Sequence, residues 1–82
     1  MENIDFTKEF KPSKHFRNTW MRKWNCDLSD IRIGCLEANK IQKIGKSGKY
    51  EIFFRIKNKK VKIIISCKYV DEIFIISGAE GH

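Results

Sequence analysis

The second half of the chain alternates. Tyr50, Ile52, Phe54 and Ile56 fall on one side of an extended backbone, and Glu51, Phe53 and Arg55 on the other. That two-residue period belongs to a pleated strand. Val61, Ile63, Ile65 and Cys67 repeat it against Lys62, Ile64 and Ser66, and a third apolar segment runs from Ile73 to Ile76. Breaks at Asn58-Lys59-Lys60 and at Lys68 to Glu72 separate the three. Each segment is rich in β-branched and aromatic residues and too short for an ordinary helix, so the pattern predicts a β-meander. Lys40 to Ile44 adds a short strand. Gly45 to Gly48 supplies a tight connection with two glycines able to take positive φ. Several strands are apolar on both sides, and two helices can cover one face of the sheet. Phe53, Ile64 and one of Phe74 or Ile76 then form an exposed patch suited to a protein partner, unless the N-terminal segment covers them.

Before the meander the period changes. Ser13 is a suitable N-cap for a first helix running to about Trp24. Phe16, Trp20 and Trp24 recur every four residues beside Met21 and mark one apolar face; His15, Asn18, Thr19 and Arg22 lie opposite. Asn25-Cys26 forms the turn. Asp27 and Asp30 resemble a capping pair for a second helix through about Ala38, with Leu28, Ile31, Cys35 and Leu36 as its buried stripe and Ile33 as the exception. The expected fold is α+β: two N-terminal helices packed on a three- to four-stranded antiparallel meander. Residues 1–12 form an N-terminal extension or one short strand, bounded by Pro12. Residues 13–77 form a single domain, and residues 78–82 a flexible C-terminal tail.

Composition narrows the classes. Eighty-two residues suit one small domain. The formal charge of +7 favours phosphate backbones or an acidic partner over a neutral ligand, with a solvated lysine-rich surface as the plain alternative. Three cysteines in unrelated contexts argue against a closed disulfide framework, and none is spaced as a metal knuckle. Neither a metal nor a cofactor is expected. The chain opens on Glu2, Asn3, Ile4 and Asp5 and has no run of 18 apolar residues, so the expectation is a cytoplasmic protein away from membranes.

The candidate chemistry lies on the first helix. His15 stands seven residues before Arg22, which an α-helix brings to the same face. An imidazole moves a proton near neutrality, and a guanidinium holds phosphoryl oxygens with paired donors. Together they suit metal-independent phosphodiester transfer, with His15 and Arg22 catalytic. Lys14, Asn18 and Lys23 on the helix, and Arg55 and Lys62 on the sheet, are candidate nucleic-acid contacts. Cys26 becomes a nucleophile only if basic neighbours lower its pKa. Gly45-Lys46-Ser47-Gly48 lacks the spaced glycine and following helix of a phosphate-binding loop.

The segments Ser13-Lys14-His15-Phe16, Trp20-Met21-Arg22-Lys23, Leu28-Ser29-Asp30-Ile31 and Gly48-Lys49-Tyr50, with the hairpins after them, span residues 13–77. In these the chain resembles a family of small, uncharacterised domains with a His–Arg helix, related to RelE/ParE-like toxins. His15 fits the family's leading histidine, and Arg22 or Lys23 its later basic position. The resemblance implies two helices on an antiparallel sheet. For the wider superfamily it implies small basic proteins, many of which cleave mRNA and are neutralised by an antitoxin. The expected function is therefore a toxin-like protein that binds RNA and cleaves it without a metal. The alternative is a noncatalytic module that binds nucleic acid or protein. The partners expected are RNA, a cognate antitoxin or other protein on the exposed sheet face, and a second copy in a homodimer.

Overall fold

The protein is described by a computed structural model covering residues 4–80. Strand β1 (Glu9–Pro12) leads into a first helix wound in three stretches: α-helical Lys14–Phe16, π-helical Arg17–Met21 and α-helical Arg22–Trp24. A second helix spans Leu28–Leu36. Four strands follow: β2 (Lys40–Ile44), β3 (Lys49–Ile56), β4 (Lys59–Ser66) and β5 (Glu72–Glu80). The sheet order is β1-β5-β4-β3-β2. The meander β2 to β5 is antiparallel, as the alternation predicted. The sheet has a fifth strand, however, and is mixed, because β1 pairs with β5 in parallel. Parallel strands need a long crossover, and here the two helices and the meander provide it.

Local signals fix the boundaries. Ser13 Oγ accepts the backbone N–H of Phe16, as an N-cap should. The first helix ends at Asn25, whose φ of 52° lies in the left-handed region that commonly terminates helices. Asp27 and Asp30 form the reciprocal capping box of the second helix. Gly45 and Gly48 both have positive φ in the β2–β3 connection. The β3–β4 hairpin turns at Lys57 and Asn58, with φ of 52° and 68°. Positive φ at both central residues is what a two-residue hairpin of the right twist demands. Lys59 and Lys60, expected in the break, belong to β4.

Both helices lie on one face of the sheet. Ile52, Phe54, Val61, Ile63, Ile65, Ile73 and Ile75 point to that face and bury against Phe16, Trp24, Ile31 and Cys35. Each such aliphatic or aromatic side chain contributes about 1.5–3 kcal/mol when fully buried. Phe6 and Phe10 stack at the β1 edge. Arg32 of the second helix binds the carbonyls of Phe6 and Lys8 and lies 5.1 Å from the Phe10 ring. The described part of the N-terminal segment thus extends the sheet and packs on the helix side, and among the described residues none of it forms a layer over the opposite face.

A β-bulge sets where the first helix sits. Ile65 pairs with Ile75, but Ile64 pairs with Ser77, so β5 has one extra residue at Ile76. Beyond it the alternation is reversed, and Gly78 faces the helices. A Cβ on Gly78 would lie 3.0 Å from both the Phe16 and the Trp24 rings, and those rings meet edge-on at 5.9 Å. Ser13 ties the helix start to the same bulge: its N–H donates to the Ile75 carbonyl and its hydroxyl to that of Ile76, each at 2.8 Å. The Trp24 indole donates to Glu80 at 2.6 Å, and Lys23 and Lys59 pair with the same carboxylate. Residues 78 to 80, expected as tail, form the end of β5, under Phe16 and Trp24. Residues 81 and 82 lie outside the described residues.

The second helix is placed by Gly34. A Cβ there would lie 2.2 Å from Phe54 Cδ2, so the helix backbone rests on the Phe54 ring. This close approach turns Ile31, Gly34 and Cys35 to the sheet and leaves Leu36 66% exposed, where a buried position was expected. Gly34→Ala gains up to about 1 kcal/mol of helix propensity. It must also displace a ring that is 2% exposed, and overpacking of this kind costs about 1–3 kcal/mol. The clash should dominate, lowering the urea midpoint, and Phe54→Leu in the same chain should restore part of the loss. A midpoint equal to or above wild type would show that the helix does not rest on this ring.

The hydrogen bond from Trp24, followed by the charges of Lys23 and Lys59, holds the Glu80 carboxyl below its ordinary value of 4.5. A carboxyl with a lowered folded pKa stabilises fully above its unfolded value. That contribution is lost as pH falls through the folded value, because the unfolded chain binds the proton first. The stability difference between wild type and Glu80→Gln should therefore shrink in denaturation curves taken from neutral pH down to about pH 3. A difference constant over that range would contradict the carboxylate latch.

Candidate nucleic-acid interface

The face of the sheet opposite the helices carries Lys49, Glu51, Phe53 and Arg55 from β3, and Lys60, Lys62 and Ile64 from β4. Their alternation with the buried residues puts them there. Cross-strand register sets Lys40, Phe53 and Lys62 in one row, and Arg55 beside Lys60 in the next. The Lys40 and Lys62 ammonium groups lie 5.6 Å and 5.8 Å from the centre of the half-buried Phe53 ring, within reach of cation–π attraction. Lys62 also binds Glu51 at 2.8 Å. A cleft of about 310 Å³ opens at this corner, lined by Asn39, Lys40, Phe53, Phe54, Lys60 and Val61. Ile64, Phe74 and Ile76 are only half-buried on β4 and β5. The result is an aromatic ring among cations, on a surface that neither helix covers.

The sequence-derived site residues divide between two surfaces. Arg55 and Lys62 belong to the corner just described. His15, Arg22, Lys14 and Asn18 are exposed on the first helix, whose buried side holds Phe16 and Trp24 against the sheet. They lie on the opposite side of the sheet from Phe53. Lys23 is occupied with Glu80 and also lies 5.4 Å from the Trp20 ring. No hydrogen bond or ion pair engages the His15 or Arg22 side chain among the described residues.

The helical phase of His15 and Arg22 also needs correction. Seven residues close two turns only in an α-helix, at about 100° per residue. The Arg17–Met21 stretch is π-helical, with i→i+5 bonding that fits more residues into each turn. Alignment across it therefore shifts toward eight residues, as the meeting of Phe16 with Trp24 illustrates. By the same shift the residue in phase with His15 is Lys23. The four-residue recurrence of Phe16, Trp20 and Trp24 was the one visible sign of the wider turn. Phe53 was expected in an exposed patch for a protein partner; its grouping with Lys40 and Lys60 was not expected, because cross-strand neighbours appear only once register is known.

Two of the three thiols, those of Cys26 and Cys35, sit in surroundings that disfavour the thiolate. Burial, followed by Asp30 and Asp27, raises the Cys26 pKa, the reverse of the activation that basic neighbours would give. Cys35 is buried and pushed up to about 12. Among the described residues, no group of three or more His, Cys, Asp or Glu side chains converges as metal ligands do. No helix among the described residues is long and apolar enough to cross a membrane. A thiol-specific reagent near pH 8 should leave Cys35 unlabelled in the folded protein and modify it after urea is added, since the thiolate is the reactive form. Rapid labelling of Cys35 without denaturant would contradict its burial.

No protein-family model, curated protein or solved structure matches the chain. The fold stands as a small α+β arrangement of two helices on a five-stranded mixed sheet.

Proposed function

We propose that this protein binds single-stranded RNA across the open face of its sheet, with Phe53 as the stacking platform and Lys40, Arg55, Lys60 and Lys62 as the phosphate contacts. The observation that carries this reading is the row Lys40–Phe53–Lys62, an aromatic ring between two ammonium groups on an uncovered face. Single-strand binders combine these two elements. Bases stack on aromatic rings for about 1–3 kcal/mol each, and a basic track follows the backbone. The net charge of +7 supports the same class of ligand. Lys62 is shared with Glu51, so Lys40 and Lys60 contribute the more available charge.

Cleavage by His15 and Arg22 would be a separate activity on the far side of the sheet. It would require RNA to pass around an edge of the molecule or to bind the helix independently. The resemblance to toxin-like domains motivates it, and the helix geometry adds no support.

A fluorescently labelled uridine oligonucleotide of about ten residues should bind with an affinity that falls as salt rises, with a log–log slope of about 0.7 per phosphate contact. Phe53→Ala should weaken binding by roughly 1–3 kcal/mol. Lys40→Ala should reduce the salt slope, and His15→Ala should leave affinity unchanged. Binding that survives both Phe53→Ala and Lys40→Ala would contradict this interface. Incubating the same RNA in EDTA reports on transfer chemistry: cleavage abolished by His15→Ala would establish the helix as a second, catalytic surface.

A further inference from the structure

We infer that the free edge of β2 is a docking site for an extended, acidic segment of a partner protein, which adds to the sheet as a sixth strand. Among the described residues β2 has one neighbouring strand, β3. Alternate main-chain N–H and C=O groups of Lys40–Ile44 therefore face outward, the template to which an extended peptide pairs. The opposite edge is poorer: β1 has four residues and ends in Pro12, which has no N–H to donate.

Charge selects the occupant. From Lys40 through Gly48 the edge strand and its turn carry Lys40, Lys43 and Lys46 and no acidic residue. A second copy aligned antiparallel on β2 would bring Lys40 and Lys43 of both strands to one seam, with no carboxylate on either β2, and like charges across a strand pair are destabilising. An acidic strand meets Lys40 favourably. The apolar residues point to a polypeptide. Ile41 pairs with Ile52, on the helix side of the sheet, yet is 45% exposed. Ile33 and Leu36, 53% and 66% exposed, stand on the helix that rests on β3. A strand with alternating side chains sets apolar groups toward Ile41 and carboxylates toward Lys40. A nucleic acid would use the lysines but neither the main-chain groups nor the isoleucine. Lys40 is shared with the proposed RNA surface, but the outward main-chain groups of β2 and the side chains of Ile33, Leu36 and Ile41 are not, so the inference does not depend on RNA binding.

The test uses the full chain and four eight-residue peptides: one alternating glutamate with isoleucine, one alternating lysine with isoleucine, and two copies of the first N-methylated at alternate residues, one in each phase. The acidic peptide should bind, weaken with salt, and slow amide exchange at residues 40–44 without doing so at residues 9–12. The lysine peptide should not bind. N-methylation should weaken binding by about tenfold or more when it blocks the edge-facing groups, because main-chain bonds supply affinity in strand addition. Ile41→Ser should weaken the acidic peptide while leaving the fold intact by circular dichroism. Equal binding of the N-methylated peptide in both methylation phases, protection mapped away from β2, or a dimer that protects β2 in the absence of peptide would each overturn the proposal. So would failure of the acidic peptide to bind at millimolar concentration.

Discussion

The extra residue in β5 is the constraint on which the remaining structure depends. A strand reverses its faces when one residue is inserted. Here the insertion at Ile76 turns Gly78 toward the helices and aims Glu80 at the Trp24 indole. Only a residue without a side chain leaves room for Phe16 and Trp24 to rest on the sheet at that point. The two carbonyls at the bulge then receive the N–H and hydroxyl of Ser13. One irregularity thus caps a helix, seats its aromatic face and fixes its C-terminal turn.

The π-helical stretch and the bulge are matched irregularities. The wider turn at Arg17–Met21 brings Phe16 and Trp24 into edge contact, and the bulge offers both rings the same glycine. With the first helix over β5 and the second resting by Gly34 on Phe54, both helices are committed to one face. Phe53, Lys62 and Ile64 are left on the other. The proposed interface is therefore a consequence of how the helices pack: apolar groups on both sides of the strands, with cover available for one.

Much of the fold could be read from local chemistry. The Ser13 cap, the Asp27–Asp30 box, the glycine turn at Gly45 and Gly48 and the alternation of β3 and β4 each depend on a few neighbouring residues. What escaped depends on distant ones. The parallel pairing of β1 with β5 joins segments more than sixty residues apart, and nothing local announces it. Leu36 fits the helical stripe, but Gly34 sets the roll of that helix through its approach to Phe54. Gly78 and Glu80 read as tail because the bulge that gives them a role is visible only in the β4–β5 register. The site divided in the same way. Arg55 and Lys62 were legible as strand cations. Their grouping with Lys40, Lys60 and Phe53 required the register, and the phase of His15 with Arg22 assumed a regular helix that the π stretch interrupts.

The central claim is that the uncovered sheet face, and not the His15 face of the first helix, meets nucleic acid. The most direct measurement is an NMR titration of isotope-labelled protein with single-stranded RNA, following every amide together with the Phe53 ring protons. The account predicts shifts concentrated on the Phe53 ring and at Lys40, Arg55, Lys60 and Lys62, with His15, Asn18 and Arg22 unmoved. Shifts centred on His15 and Arg22, with the Phe53 ring unchanged, would contradict it.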